Sequence, residues 1–97
     1  MQNLKAELAQ AIDEATWDCL MPHAKRDFII FVTQELDLLD VGMAIARDDV
    51  VSVQHWISTQ QVHKPFPDQL ASWNSDETKR FQALIVQPYV LIQELAP

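Results

Sequence analysis

The segment Phe28-Ile29-Ile30-Phe31-Val32 decides the fold class, because it places five large apolar residues in a row. Three of the five are β-branched, and such a run is typical of a strand that is buried on both faces of a sheet. A helix made of the same residues would need apolar surroundings on every side, which a chain of 97 residues rarely offers. The sequence therefore predicts a strand buried on both faces at 28–32.

A second apolar stretch covers residues 81–93. In its first half, residues 81–86, apolar side chains recur at both helical and alternating spacing, so strand and helix both remain open there. The β-branched residues of the stretch favour two strands, or one strand that bends near Pro88. Proline has no backbone N–H and removes a hydrogen bond from a central strand, so we expect a bend, a bulge or a sheet edge at this residue.

Helical periodicity and capping residues predict helices in the remaining segments. These helices are expected after Asn3, after Thr16 (with an interruption or restart at Pro22), from Leu36 to Arg47, from Asp49 to Gln60, and from Pro67 through Trp73. In the fourth helix, Val50, Val53 and Ile57 are predicted to form the apolar stripe that faces the core. The expected fold class is α+β: residues 1–97 form a single small compact domain, with four or five helices packed on a small sheet that includes strands near 28–32 and 81–93.

The chain contains a single glycine, Gly42. This excludes the dinucleotide-binding fingerprint and the P-loop, since both need several glycines close together. The same scarcity argues against tight hairpins, which use glycine at turn positions. Because Gly42 falls inside a predicted helix, where glycine costs about 1 kcal/mol relative to alanine, we expect another backbone or a bulky side chain such as Trp56 to pack closely against it.

The charge and the cysteine content limit which partners and which cellular compartment are expected for this chain. Fourteen acidic and seven basic residues give a net charge of −7, whereas nucleic acids and anionic membranes require clustered Lys and Arg, so neither partner is expected. The lone Cys19 cannot form an internal disulfide. The first residues lack the apolar stretch of a signal peptide, and no apolar run approaches the roughly 20 residues that cross a bilayer. We therefore expect a cytoplasmic protein.

Several short segments together resemble a known family. They are Trp17, Pro22-His23-Ala24, Arg26-Asp27, Val41-Gly42, Ala44-Ile45-Ala46, Asp48-Asp49, Trp56-Ile57, Lys64-Pro65 and Phe81 through Gln93. The pattern is similar to that of small bacterial proteins grouped as domain of unknown function 2288. The resemblance covers nearly the whole chain, and Leu-Ile-Val-Gln-Pro-Tyr-Val-Leu at 84–91 is its most specific part. It implies a bacterial, complete single-domain protein and supplies no established activity, cofactor or catalytic residue.

A dense polar cluster directly precedes the strand at 28–32. There His23 can act as an acid or base near neutral pH, Arg26 can hold a carboxylate or phosphate group, and Asp27 can orient either side chain. One hypothesis is therefore a small-molecule site or a minor hydrolytic site, in which these side chains converge with Gln87 or Tyr89 on one pocket. The alternative, which we favour, is a turn whose charges are solvated or paired with one another.

No metal or cofactor is expected. Cys19 and His23 are four residues apart, but Pro22 lies between them and disturbs a helical arrangement. His55 and His63 are eight residues apart and fall on different predicted elements. No serine has the flanking glycines of a nucleophile elbow, so covalent catalysis has no motif to support it either.

The function that the sequence favours is binding to a protein. The helices predicted at 36–47 and 49–60 are similar to a helix-turn-helix, but Asp48-Asp49 places two negative charges at the end that would approach phosphates, so DNA binding is the least favoured hypothesis. Without a motif for chemistry, the chain is expected to be a non-enzymatic module that binds another protein or itself. One of its three tryptophans is expected to be partly exposed at such an interface.

Overall fold

The apolar run near position 30 forms a strand inside a five-stranded mixed sheet. The computed structural model describes residues 3–95, and within that range it contains five helices and five strands. In chain order they are α1 (Leu4–Ala11), β1 (Asp13–Thr16), α2 (Trp17–Lys25), β2 (Ile29–Val32), α3 (Leu38–Ala46), α4 (Val50–Ser58), β3 (Val62–His63), α5 (Pro67–Ser75), β4 (Arg80–Val86) and β5 (Tyr89–Glu94). Among these described residues, no helix is both long and apolar enough to cross a membrane. The predicted α+β class is confirmed, and residues 81–86 belong to a strand.

The strands lie in the order β1-β4-β5-β2-β3. The neighbours β2 and β5 run parallel, and the other three neighbouring pairs are antiparallel. β4 and β5 form a hairpin in which Val86 pairs with Tyr89, so only Gln87 and Pro88 connect the two strands. The expectation that glycine scarcity disfavours tight hairpins is wrong at this turn, because proline restricts the backbone to a turn conformation without glycine.

Helices α2 and α5 cover one face of the sheet through an aromatic cluster. The ring of Trp73 lies 5.0 Å from the ring of Trp17 and 5.0 Å from the ring of Phe81, measured between centroids. Nε1 of Trp17 donates a hydrogen bond to Oδ1 of Asn74 at 2.8 Å, so the one polar group of this indole is satisfied. Trp17 and Trp73 are only 1% and 2% exposed, which makes them core residues of this face.

Helices α1, α3 and α4 lie on the opposite face, where Gly42 of α3 is buried against the sheet. A Cβ atom at Gly42 would overlap Cδ2 of Leu84 and would lie 3.8 Å from Cδ1 of Leu91. The predicted close packing at Gly42 is confirmed, but its partners are these two leucines rather than Trp56. Trp56 is instead half-buried at the margin of the cluster, so one tryptophan is partly exposed as expected.

The edge strands β1 and β3 were not anticipated by the sequence pattern. β1 pairs with β4 from Asp13 opposite Ala83 to Thr16 opposite Arg80. Its first two residues are exposed, so no alternation of apolar and polar residues marks the strand. β3 is only two residues long and lies outside β2. Both segments become strands because distant parts of the chain offer them backbone partners.

Three helices end without glycine at the position where glycine is most common. The residues that follow their C-caps have φ values of 65°, 58° and 62° and are Asp27, Asp48 and Gln60. At the end of α4, the N–H of Gln60 donates to the carbonyl of Ile57, and the N–H of Gln61 donates to the carbonyl of Trp56. This pair of hydrogen bonds is the Schellman motif, whose left-handed residue is usually glycine. The chain's one glycine is used inside α3 instead.

Candidate functional site

Helix α4 leaves its apolar side chains in contact with solvent. Val50, Val51 and Ile57 are 51%, 80% and 54% exposed, and none of the nine α4 residues, all of which the structure describes, is buried. The prediction that Val50, Val53 and Ile57 face the core is therefore wrong for Val50 and Ile57, and Val53 is only half-buried. The physical reason is the position of α4 in the fold. α3 already covers β4 and β5, and α4 packs against α3 and β3 at the sheet margin, where no other element of residues 3–95 forms a layer over it.

An open groove of about 480 Å³ lies between α4, the end of α3 and the sheet. We call it the α4 groove. Its apolar lining comes from four elements and consists of Ile30, Ala44, Ile45, Val50, Val53, Ile57 and Val62. Its polar lining consists of Asp48, Asp49, Gln54, His63, Lys64 and Tyr89. The α4 groove thus combines a mainly apolar floor with a few polar groups, which is the composition typical of a binding site.

Negatively charged groups outnumber positively charged ones in the described lining of the α4 groove. Asp48 and Asp49 are both exposed and directly precede α4. The Ser52 hydroxyl donates to Oδ2 of Asp49 at 2.7 Å and the Ser52 N–H donates to Oδ1 at 3.2 Å, and these bonds hold the pKa of Asp49 below its usual value. The one lysine of the lining, Lys64, is paired with the Asp27 carboxylate. The rim is therefore net negative at neutral pH.

His63 is held in place by its neighbours. Its ring stacks on Phe66 with centroids 4.1 Å apart and an interplanar angle of 12°, and it lies 5.2 Å from the ring of Phe31. Its Nδ1 atom is 2.7 Å from the carbonyl oxygen of Lys64, which can only accept, so Nδ1 carries the proton. These contacts make His63 a fixed part of the groove wall.

The structure brings one of the five predicted site residues, Tyr89, to the α4 groove, and a second, Asp27, is linked to the groove only through Lys64. Tyr89 lines the groove at the start of β5, and Asp27 pairs with Lys64, which also lines it. Of the described residues that line the groove, none is His23, Arg26, Asp27 or Gln87.

The other three predicted site residues lie apart. His23 is half-buried near the end of α2, and its carbonyl accepts the N–H groups of Arg26 and Phe28. Arg26 is exposed, and Gln87 is exposed in the hairpin turn between β4 and β5. The five side chains therefore do not line this groove together: Tyr89 lines it, and Asp27 only pairs with the lining residue Lys64.

Sequence reasoning did not identify Lys64 as a groove residue, and it assigned the groove residues Val50, Val53 and Ile57 of α4 to the core. Nothing in the local sequence around Lys64, which follows an edge strand, indicates that it pairs with a residue 37 positions away. No local pattern carries that information, because the pair forms only when β2 and β3 become neighbours in the sheet.

Within the described range 3–95, no three side chains from His, Cys, Asp and Glu lie close enough together to hold a metal ion. Cys19 is exposed near the start of α2, where the Thr16 hydroxyl lies 3.5 Å from its Sγ atom.

Comparisons with known proteins bear on the family and the fold. The family model for "Protein of unknown function (DUF2288)" matches residues 3–94. The chain is also similar to PA1075 from Pseudomonas aeruginosa, whose structure was solved in solution by NMR. The two chains are 30% identical and superimpose with a TM-score of 0.82 over 100% of this chain and 89% of the Pseudomonas chain. A search of curated proteins found no match.

Proposed function

Because this chain belongs to the DUF2288 family, described as proteins of unknown function, we propose its role from geometry: a non-enzymatic protein-interaction module of the bacterial cytoplasm. In this proposal the binding surface is the α4 groove, and the partner is another protein that inserts one apolar helical segment into it.

The exposure of α4 carries the proposal. A valine or isoleucine side chain gains about 1.5–3 kcal/mol when it passes from full exposure to full burial, and Val50 and Ile57 have received only about half of that change within this chain. A partner that covers them supplies the rest. Val51 extends the same apolar surface beyond the groove, so an occupant that also covers Val51 gains more than one confined to the groove.

The spacing of the exposed residues favours a helix as the occupant. Val50, Val53 and Ile57 stand at i, i+3 and i+7, a row about 10 Å long. Helices that bind in apolar grooves present anchors at this same spacing, and such a row fits between the ridges of a second helix.

The volume of the α4 groove would also fit a small apolar ligand, since pockets for small molecules span about 300–1,000 Å³. Tyr89 and Lys64 would then supply its polar contacts. We favour a protein segment because one wall, formed by Val50 and Ile57, is open to solvent, whereas small-molecule sites enclose most of the ligand. A hydrolytic site at His23, Arg26 and Asp27 gains no support, because His23 and Arg26 do not reach the groove.

The test is a binding measurement with a matched pair of variants. A synthetic peptide with leucines at i, i+3, i+4 and i+7 and uncharged residues elsewhere is titrated into the protein, and backbone amide shifts are followed by NMR. We expect shifts to concentrate on α4, on the end of α3 and on Tyr89. Ile57→Ser should weaken binding at least about fivefold, because more than about 1 kcal/mol of apolar burial is lost.

Ile85→Ser is the matched control. Ile85 is 57% exposed, close to the 54% of Ile57, and it does not line the α4 groove. Equal loss of binding in both variants, or no saturable binding at millimolar peptide, would contradict the proposal. Two further outcomes decide the occupant. If light scattering shows a dimer that Ile57→Ser dissociates, the partner is a second copy of this chain. If decanoate displaces the peptide in the NMR titration, the occupant is a small ligand.

A further inference from the structure

We infer that the segment which docks in the α4 groove is a basic amphipathic helix, with lysines or arginines beside its apolar face; this inference rests on the function proposed above. Three features of the described residues carry it: the acids at the rim, the neutralised lysine and the charge of the whole chain.

The first feature is the pair of acids at the N-terminal end of α4. Asp48 and Asp49 are exposed and both line the groove, so a docked helix passes beside two carboxylates. The backbone conformation of Asp48, with φ of 58°, fixes where this residue stands between α3 and α4. Asp49 is held by its two hydrogen bonds to Ser52. The fold therefore fixes the carboxylate of Asp49 and the backbone position from which the Asp48 side chain extends.

The second feature is the state of the nearby cations. Lys64 is the one lysine or arginine in the described lining of the groove, and its ammonium group pairs with Asp27. Arg47 adjoins Asp48 in sequence but does not line the groove. An acidic helix would thus meet two carboxylates with no unpaired lysine or arginine from the lining to offset them. A basic helix would meet complementary charge.

The third feature separates another protein from a second copy of this chain. Each copy carries a net charge of −7, so two copies repel one another at low ionic strength. A basic segment is instead attracted over roughly the Debye length, about 8–10 Å at physiological salt, and this raises the rate of encounter. Apolar complementarity alone would not distinguish these occupants, but charge does.

The experiment uses three peptides that share one apolar face and differ only at the flanking positions, which are lysine, glutamine or glutamate. Dissociation constants are measured for the whole protein at low salt and at about 0.3 M salt. We expect the lysine peptide to bind about tenfold more tightly than the glutamine peptide, which corresponds to two exposed ion pairs, and we expect the difference to shrink at high salt. The glutamate peptide should bind most weakly.

Charge variants identify the residues responsible. Asp48→Asn combined with Asp49→Asn should remove the preference for lysine, and both changes are mild because asparagine tolerates positive φ and serves as an N-cap. Asp68→Asn combined with Glu77→Gln changes the net charge equally at exposed positions outside the α4 groove and should preserve the preference.

The outcomes separate the two proposals. Equal binding of all three peptides, with sensitivity to Ile57→Ser, would overturn the basic partner and leave the docking groove intact. Tighter binding of the glutamate peptide would also overturn it, as would an equal loss of preference in both double variants. If no peptide binds, the proposed function itself fails.

Discussion

At the scale of single residues, the positions with a left-handed backbone are occupied by residues other than glycine, and the one glycine lies elsewhere. Asp27, Asp48 and Gln60 adopt the left-handed conformation that glycine accepts most easily, while Gly42 lies inside a helix. A left-handed L residue costs about 1–2 kcal/mol, and aspartate is tolerated better than glutamine because its short side chain can bond locally. The left-handed backbone conformation is therefore most costly at Gln60.

We expect Gln60→Gly to stabilise the protein by about 0.5–1 kcal/mol, because relief of the left-handed strain exceeds the extra entropy of glycine in the unfolded chain. Urea unfolding measures the change. Gln60→Ala keeps the strain and serves as control, so a glycine variant no more stable than the alanine variant would contradict this explanation.

We expect Gly42→Ala to destabilise the protein by about 1–2 kcal/mol, since the overlap of the new Cβ with Leu84 outweighs the better helix propensity of alanine. The measurement is again chemical unfolding. In the background of Leu84→Val the same change should cost less, because valine lacks the Cδ2 atom that the Cβ meets. Unchanged or higher stability of Gly42→Ala would show that the core adjusts without strain.

At the scale of elements, α4 illustrates what periodicity does and does not predict. Its helix, a cap at Asp48 or Asp49 and its apolar row are predicted by the sequence, and the structure contains all three, with Asp49 as the cap. The burial of that row was predicted wrongly, because periodicity indicates which side of a helix is apolar and carries no information about whether another layer covers it. The sequence pattern does not predict the edge strands β1 and β3 for a related reason, since the strands with which they pair lie in distant segments of the chain.

The Asp49 cap makes the stability of α4 depend on pH. Hydrogen bonds from Ser52 lower the pKa of Asp49 in the folded state, so its carboxylate stabilises the fold above the unfolded pKa, and this contribution is lost as pH falls through the folded pKa. Asp49→Ala should therefore lower the Tm at pH 7, and its gap from the wild type should narrow in acid. Asp49→Asn, which keeps an oxygen acceptor, should lose less at pH 7; a gap that stays constant or widens in acid would refute the assignment.

At the scale of the whole molecule, the sheet with helices on both faces explains why a groove exists at all. α2 and α5 seal one face through the tryptophan cluster, whereas on the other face α3 covers the centre and α4 sits at the margin. The short strand β3 ends the sheet beneath α4, which leaves a space bounded by Ile30, Val62 and Tyr89. The proposed binding surface is thus a consequence of topology rather than of any motif.

The sequence by itself determined the fold class, the buried strand β2, the helices, the need for close packing at Gly42 and the net negative charge. Each of these follows from local properties: side-chain periodicity, backbone preference or a simple count. Only the tertiary structure decided that Leu84 and Leu91 face Gly42, that Asp27 pairs with Lys64, and that the apolar row of α4 remains open. These features depend on which distant segments become neighbours, and strand order and layer position set those neighbours, not the local pattern.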